Sequence, residues 1–93
     1  MTVEEIAAKL RERVAGSSFD KSVKFVLGGD GVVVLDGTNV STQDAPTDCT
    51  ITVSRENFEE LVAGDMSPTA AFMTGKLKVE GDMSAAMAVS QLL

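Results

Sequence analysis

The sequence predicts an α+β domain, a largely antiparallel sheet with helices gathered over one face and water on the other. Three observations carry this. The apolar residues recur at helical spacing at the two ends and at two-residue spacing through most of the middle, so helices and strands do not alternate regularly. Clusters of glycine, proline and aspartate separate the runs into short elements. Ninety-three residues leave room for one core, and the chain reads as a single domain over residues 1–93 with no linker or internal repeat.

Thr2 with Glu5 three residues later forms a capping box, and Val3, Ile6, Ala7, Leu10 and Val14 then recur in steps of three and four. This is an amphipathic helix, ended by Gly16, with Lys9, Arg11, Glu12 and Arg13 on its outer face. From Lys21 the period falls to two. Val23, Phe25 and Leu27 share one side of a strand, with Ser22 and Lys24 on the other. Gly28-Gly29-Asp30-Gly31 turns the chain into Val32-Val33-Val34-Leu35, a β-preferring run predicted to pair antiparallel with the first strand. A weaker strand over 38–43 leads through Ala45-Pro46 into Cys49, Ile51 and Val53, which alternate with threonines.

Ser54 caps a short helix bearing Phe58, Leu61 and Val62 and ended by Gly64. Pro68, in its favoured first-turn position, opens another that ends at Gly75. Residues 76–80 alternate as a strand, and Asp82 caps a last helix whose predicted inner stripe is Met83, Ala86, Met87, Val89 and Leu92.

Composition removes whole classes of chemistry. Without histidine the chain cannot build a Ser-His-Asp or Cys-His nucleophile, and a single cysteine, Cys49, supplies neither a disulfide nor a thiolate cluster. No metal or cofactor is expected. The net charge of −6 and the absence of Trp and Tyr oppose binding to nucleic acid. No apolar run approaches the roughly 20 residues of a membrane span, and the acidic N-terminus Thr2-Val3-Glu4-Glu5 is unlike a signal peptide, so the chain is expected in the cytoplasm. The glycine cluster lacks a following Gly-Lys-Ser/Thr and fails the dinucleotide spacing, because position 34 is valine. Glu56, Glu59 and Glu60 lie opposite the apolar side of their helix, on what should be its solvated face. Cys49, in register with Ile51 and Val53, is expected to be a buried small hydrophobe.

Methionine distinguishes the last third. Met66, Met73, Met83 and Met87 all fall there, beside Ala70-Ala71, Ala85-Ala86 and Ala88. Flexible thioethers either fill a core or line a surface that re-packs around varied apolar ligands. Thin alanine packing means either close helix approach or a cavity. The sequence leaves both alternatives open.

The segment from Asp48-Cys49-Thr50-Ile51-Thr52-Val53-Ser54 through Phe58, Leu61, Gly64, Met66, Pro68 and Ala71-Phe72 to Gly75-Lys76-Leu77-Lys78-Val79-Glu80-Gly81-Asp82-Met83 resembles the sterol carrier protein-2 family. The resemblance is strong over residues 48–93; before that it is only a helix followed by a hairpin. It implies a five-stranded mixed, mostly antiparallel sheet with four to five helices over one face and an apolar tunnel between them. It implies a carrier of fatty acid, acyl-CoA, phospholipid or sterol-like lipid, without catalysis by the domain. The alternative it leaves is an accessory module of a lipid- or isoprenoid-quinone-assembly enzyme. By the same resemblance Phe72, Leu77, Val79, Met83 and Met87 are tunnel or lid positions, and Ile51, Phe58, Leu61 and Val62 are wall. Phe25, Met66 and Met73 complete the ligand-binding set, and Leu92 and Leu93 close an end. A monomer or weak dimer making transient membrane contact is the expected form. The chain departs from most members in its short passage from first helix to first strand and in Thr74, where many animal members have glutamine.

Overall fold

The computed structural model describes residues 2–17 and 19–92. Helix α1 spans Val3–Val14, strands β1 to β4 span Ser22–Val26, Val32–Asp36, Asn39–Ser41 and Cys49–Thr52, and helices α2 and α3 span Arg55–Ala63 and Pro68–Met73. Strand β5 (Lys78–Gly81) and helix α4 (Met83–Ser90) complete the chain. The five strands form one sheet in the order β3-β2-β1-β4-β5. All neighbours pair antiparallel except β1 and β4, which run parallel with Phe25 opposite Ile51. This is the mixed, mostly antiparallel sheet the family resemblance implies.

Local chemistry sets the element ends. The amide of Glu5 donates to Thr2 Oγ1 at 3.2 Å while the amide of Thr2 donates to Glu5 Oε1 at 3.2 Å, closing the capping box. Ser54 Oγ accepts from the Asn57 amide and Asp82 Oδ1 from the Ser84 amide, so α2 and α4 begin where the sequence places their caps. The glycine cluster folds as one 3-10 turn, Gly28–Asp30, closed by the Leu27 amide donating to the Gly31 carbonyl at 2.9 Å. Gly28 and Gly31 both take positive φ there, which a side chain would resist.

The parallel β1–β4 pair requires the chain to travel from the β3 edge across the sheet, and it does so without a helix. Asp44, on that connection, reaches Lys24 at 2.7 Å. Lys24 belongs to the strand face opposite Val23 and Phe25, so the crossover runs over the face expected to be wholly wet. Val34, paired with Lys24 in the adjoining strand, is buried there, outside the main core. Only the pairing order, which local periodicity does not encode, dictates this crossing.

The other face carries the core: Val23, Phe25 and Leu27 with Val33, Leu35, Cys49, Ile51 and Val53, covered by Ile6, Leu10, Val14, Phe58, Leu61 and Val89. Helix α1 lies over the β2–β3 side and against α2, while α4 lies over β1, β4 and β5. The arginines on the outer face of α1 tie it down. Arg11 Nη2 donates to the Val40 carbonyl at 3.0 Å and Arg13 Nη2 to the Val62 carbonyl at 2.6 Å. The second bond satisfies a carbonyl in the last turn of α2, which no residue further along that helix can reach.

Candidate functional site: an apolar cavity beneath α3 and α4

The inner stripe of α4 differs from the one its sequence predicts. Ala85, Ala86 and Val89 are buried, whereas Met83 and Met87 are 50% and 66% exposed. Alanines at the contact positions bring α4 onto the sheet with little volume, and the longer thioethers are turned to its flank. Met83, Ala86, Met87 and Ser90 fall at steps of three and four residues, so they form one face of the helix, and that face lines a cavity.

The cavity has a volume of about 200 Å³ and is open to solvent on one side. Phe25, Ile51 and Val79 come from adjacent strands β1, β4 and β5, with Leu77 just before β5. Leu61 of α2 and Pro68, Thr69 and Phe72 of α3 form the remaining wall. Helix α3 holds on to the body chiefly through Ala71, its one buried residue, so Phe72 stays half exposed and Met73 is 80% exposed. Among the described residues no charged side chain lines the cavity, and the polar side chains that do are Thr69 and Ser90.

The sequence-predicted ligand set divides on this geometry. Phe25, Ile51, Leu61, Phe72, Leu77, Val79, Met83 and Met87 come together around the cavity. Phe58 lies behind it, its ring stacked on Phe25, and Val62 is buried in the same core. Met66 and Leu92 pack partly buried against the core, and Met73 points to solvent. None of these five lines the cavity: Phe58 and Val62 face the core side of α2, Met73 faces solvent, and Met66 and Leu92 lie outside the helices and strands. Leu93 lies outside the described residues. Pro68, Thr69, Ala86, Val89 and Ser90 are lining residues absent from the predicted ligand set. For Ser90 the signal was its position one helical turn beyond Ala86 and Met87 and two beyond Met83.

The remaining candidate groups take structural places. Burial holds the Cys49 thiol above its ordinary pKa, with the Asp82 charge adding to the effect, and Cys49 is buried between strands as its alternation predicts. Glu56 and Glu60 are exposed as expected, but Glu59 is half-buried. Among the described residues no cluster of three His, Cys, Asp or Glu side chains could hold a metal ion. No helix among them is long and apolar enough to cross a membrane.

The five-stranded mixed sheet with its four helices agrees with what family comparison finds. The model of the SCP-2 sterol transfer family matches residues 3–93. The chain belongs to that family. Human sterol carrier protein 2 is 35% identical over 104 aligned residues, a match covering 99% of this chain but 19% of that relative's length. The crystal structure of sterol carrier protein 2 like 2 from Aedes aegypti superposes with a TM-score of 0.83 at 19% identity, over 98% of this chain and 95% of the mosquito protein. The palmitated form of that protein in solution superposes with a TM-score of 0.78 at 21% identity, over 99% and 94% of the two chains. At such identities the structures speak for the fold, and the family assignment rests on the sequence.

Proposed function

We propose that this SCP-2 domain binds a single-chain lipid, its hydrocarbon inserted between α4, α3 and the β1–β4–β5 part of the sheet, and carries it without covalent chemistry. The observation that carries the reading is an open apolar cavity whose rim is built from exposed Phe72, Met83 and Met87. Exposed large hydrophobes cost solubility, and their grouping around one opening makes sense if that opening is covered by an apolar guest. The palmitated mosquito relative supports it.

The volume sets the class of guest. About 200 Å³ exceeds the roughly 150 Å³ of a dry cavity that takes benzene and falls short of the roughly 300 Å³ at which drug-sized pockets begin. A flexible chain enters such a space in part and lies with the remainder against the methionine rim, which re-packs around it. A rigid fused-ring sterol has no such option. Membrane contact, where the lipid is loaded or released, would use the same rim.

Each methylene buried contributes ~0.8 kcal/mol, so affinity should rise about fourfold per added carbon and level off once the cavity and rim are filled. Native mass spectra of the purified protein, before and after organic extraction, test the reading directly. A one-to-one adduct of lipid mass, removed by extraction and restored by adding a single-chain lipid, is the expected result. Failure of added fatty acids, acyl thioesters, alcohols and phospholipids to bind would reject the carrier and leave the accessory-module alternative.

A further inference from the structure

The residues around the cavity grade from open to closed. Phe72, Met83 and Met87 at its mouth are at least half exposed, whereas Phe25, Leu61 and Val89 are each 1% exposed and form its inner end. Thr69 is exposed and Ser90 half-buried, so neither hydroxyl belongs to that end, whose side chains are all hydrocarbon. Phe25 is not free to withdraw. It stands on β1, the central strand, and its ring is stacked on Phe58 with centroids 4.6 Å apart. Phe58 is itself fully buried, so close packing behind it stops the pair from receding. Phe58 and Leu61 lie three residues apart on α2 and share one helix face. One turn of α2 therefore shapes the inner end twice, directly with Leu61 and through Phe25 with Phe58.

A carboxylate head keeps its hydration only at the mouth, and driving it to the inner end would leave it there without a polar side chain as partner. The hydrocarbon therefore enters first. We propose that the terminal methyl of a single-chain lipid comes to rest against Phe25 and Leu61, and that Phe58 sets how many carbons the cavity admits. Phe58 is a positioning residue: it acts by holding the Phe25 ring in place and does not touch the lipid. This rests on the single-chain lipid reading and adds to it the orientation of the ligand and the residue that limits its depth.

The test is a series of straight-chain carboxylates, each one carbon longer than the last, titrated into the intact delipidated protein below their aggregation concentrations. Affinity should rise about fourfold per carbon until the methyl meets Phe25, and about twofold or less thereafter, because later carbons lie half exposed at the rim. Phe58→Leu takes about three carbons out of the space behind Phe25, and the break in the slope should move about two carbons longer. Leu61→Ala, which removes wall directly, should move it similarly. Phe72→Ala, at the mouth, should weaken binding of the longer chains and leave the break where it is. A merely structural role for Phe58 would lower all affinities together, so a break unmoved by Phe58→Leu in a protein that still melts cooperatively would overturn the proposal. In the unsubstituted protein, a terminal methyl labelled with carbon-13 should show nuclear Overhauser contacts with the Phe25 ring. Contacts to that ring from a label beside the carboxylate instead would overturn the proposal whether or not Phe58→Leu folds. If no member of the series binds, the carrier reading itself fails.

Discussion

The rings of Phe25 and Phe58 stack with centroids 4.6 Å apart and planes 28° from parallel, joining the central strand β1 to helix α2. Phe25 also lines the cavity, so its ring has the core behind it and the proposed lipid in front. Phe58, fully buried, is the support that keeps Phe25 from collapsing into the core. Phe58→Ala should cost ~3–5 kcal/mol in urea unfolding and enlarge the space behind Phe25. A loss below about 1 kcal/mol would mean that the stack carries little of the core, since that is the range of an ordinary substitution.

The rim methionines make the opposite prediction. Met83 and Met87 are at least half exposed, so replacing each by glutamate should change stability by no more than about 0.5 kcal/mol. Both line the cavity, so the same changes should weaken binding of a single-chain lipid markedly. A double variant that melts like the parent protein and binds lipid equally well would remove the rim from the site.

Gly81 ends β5 with φ of +96°, and a Cβ built there would stand 2.5 Å from the Asp48 carbonyl oxygen. Backbone must move to relieve that contact. Gly81→Ala should therefore lower stability by more than the ~1–2 kcal/mol of the left-handed conformation alone. Gly75→Ala, where φ is +78° and nothing lies within 4 Å, should show only that conformational cost. Equal melting temperatures for the two variants would contradict the steric account.

Asp82 links stability to acid. Its hydrogen bonds with Ser84, the side chain first and then the backbone, hold the carboxyl below its ordinary value of 3.8. A carboxyl depressed on folding contributes stability that is fully present above 3.8 and is lost as pH falls through its lower folded value. The Ser84 amide resonance should therefore titrate with a midpoint below 3.8, and Asp82→Asn should abolish that titration. A midpoint above 3.8 would refute the assignment.

Cys49 should be inert. Burial raises its pKa and the neighbouring Asp82 charge raises it further, so little thiolate exists at neutral pH and none is accessible. A disulfide-forming colorimetric thiol reagent should react at a measurable rate only when urea unfolds the domain. Rapid reaction of the folded protein would place Cys49 nearer the surface than its strand position allows.

The order of helices and strands was legible because each element is amphipathic over its own length. Caps at Thr2, Ser54 and Asp82 and turns at Gly28 and Gly64 depend on contacts within a few residues, and they stand where local chemistry predicts. The cavity was only half legible. Phe72, Leu77 and Val79 belong to a segment that resembles the family closely, but apolar periodicity does not distinguish a residue that fills a core from one that edges a gap. Phe58 and Phe25 have the same apolar character in sequence, and one is packed behind the other.

The sequence by itself determined the α+β class, the limits of most elements, the absence of histidine-based chemistry and the family. Tertiary structure decided what depends on long-range packing. It set β4 parallel to β1, which sends the 42–48 connection over the second sheet face and buries Val34 there. It put Ala85, Ala86 and Val89 on the sheet, leaving Met83 and Met87 at an opening, because only the distance between α4 and the strands fixes which side chains fit beneath. A helical stripe specifies which residues share a face; the surface opposite it specifies whether that face is filled.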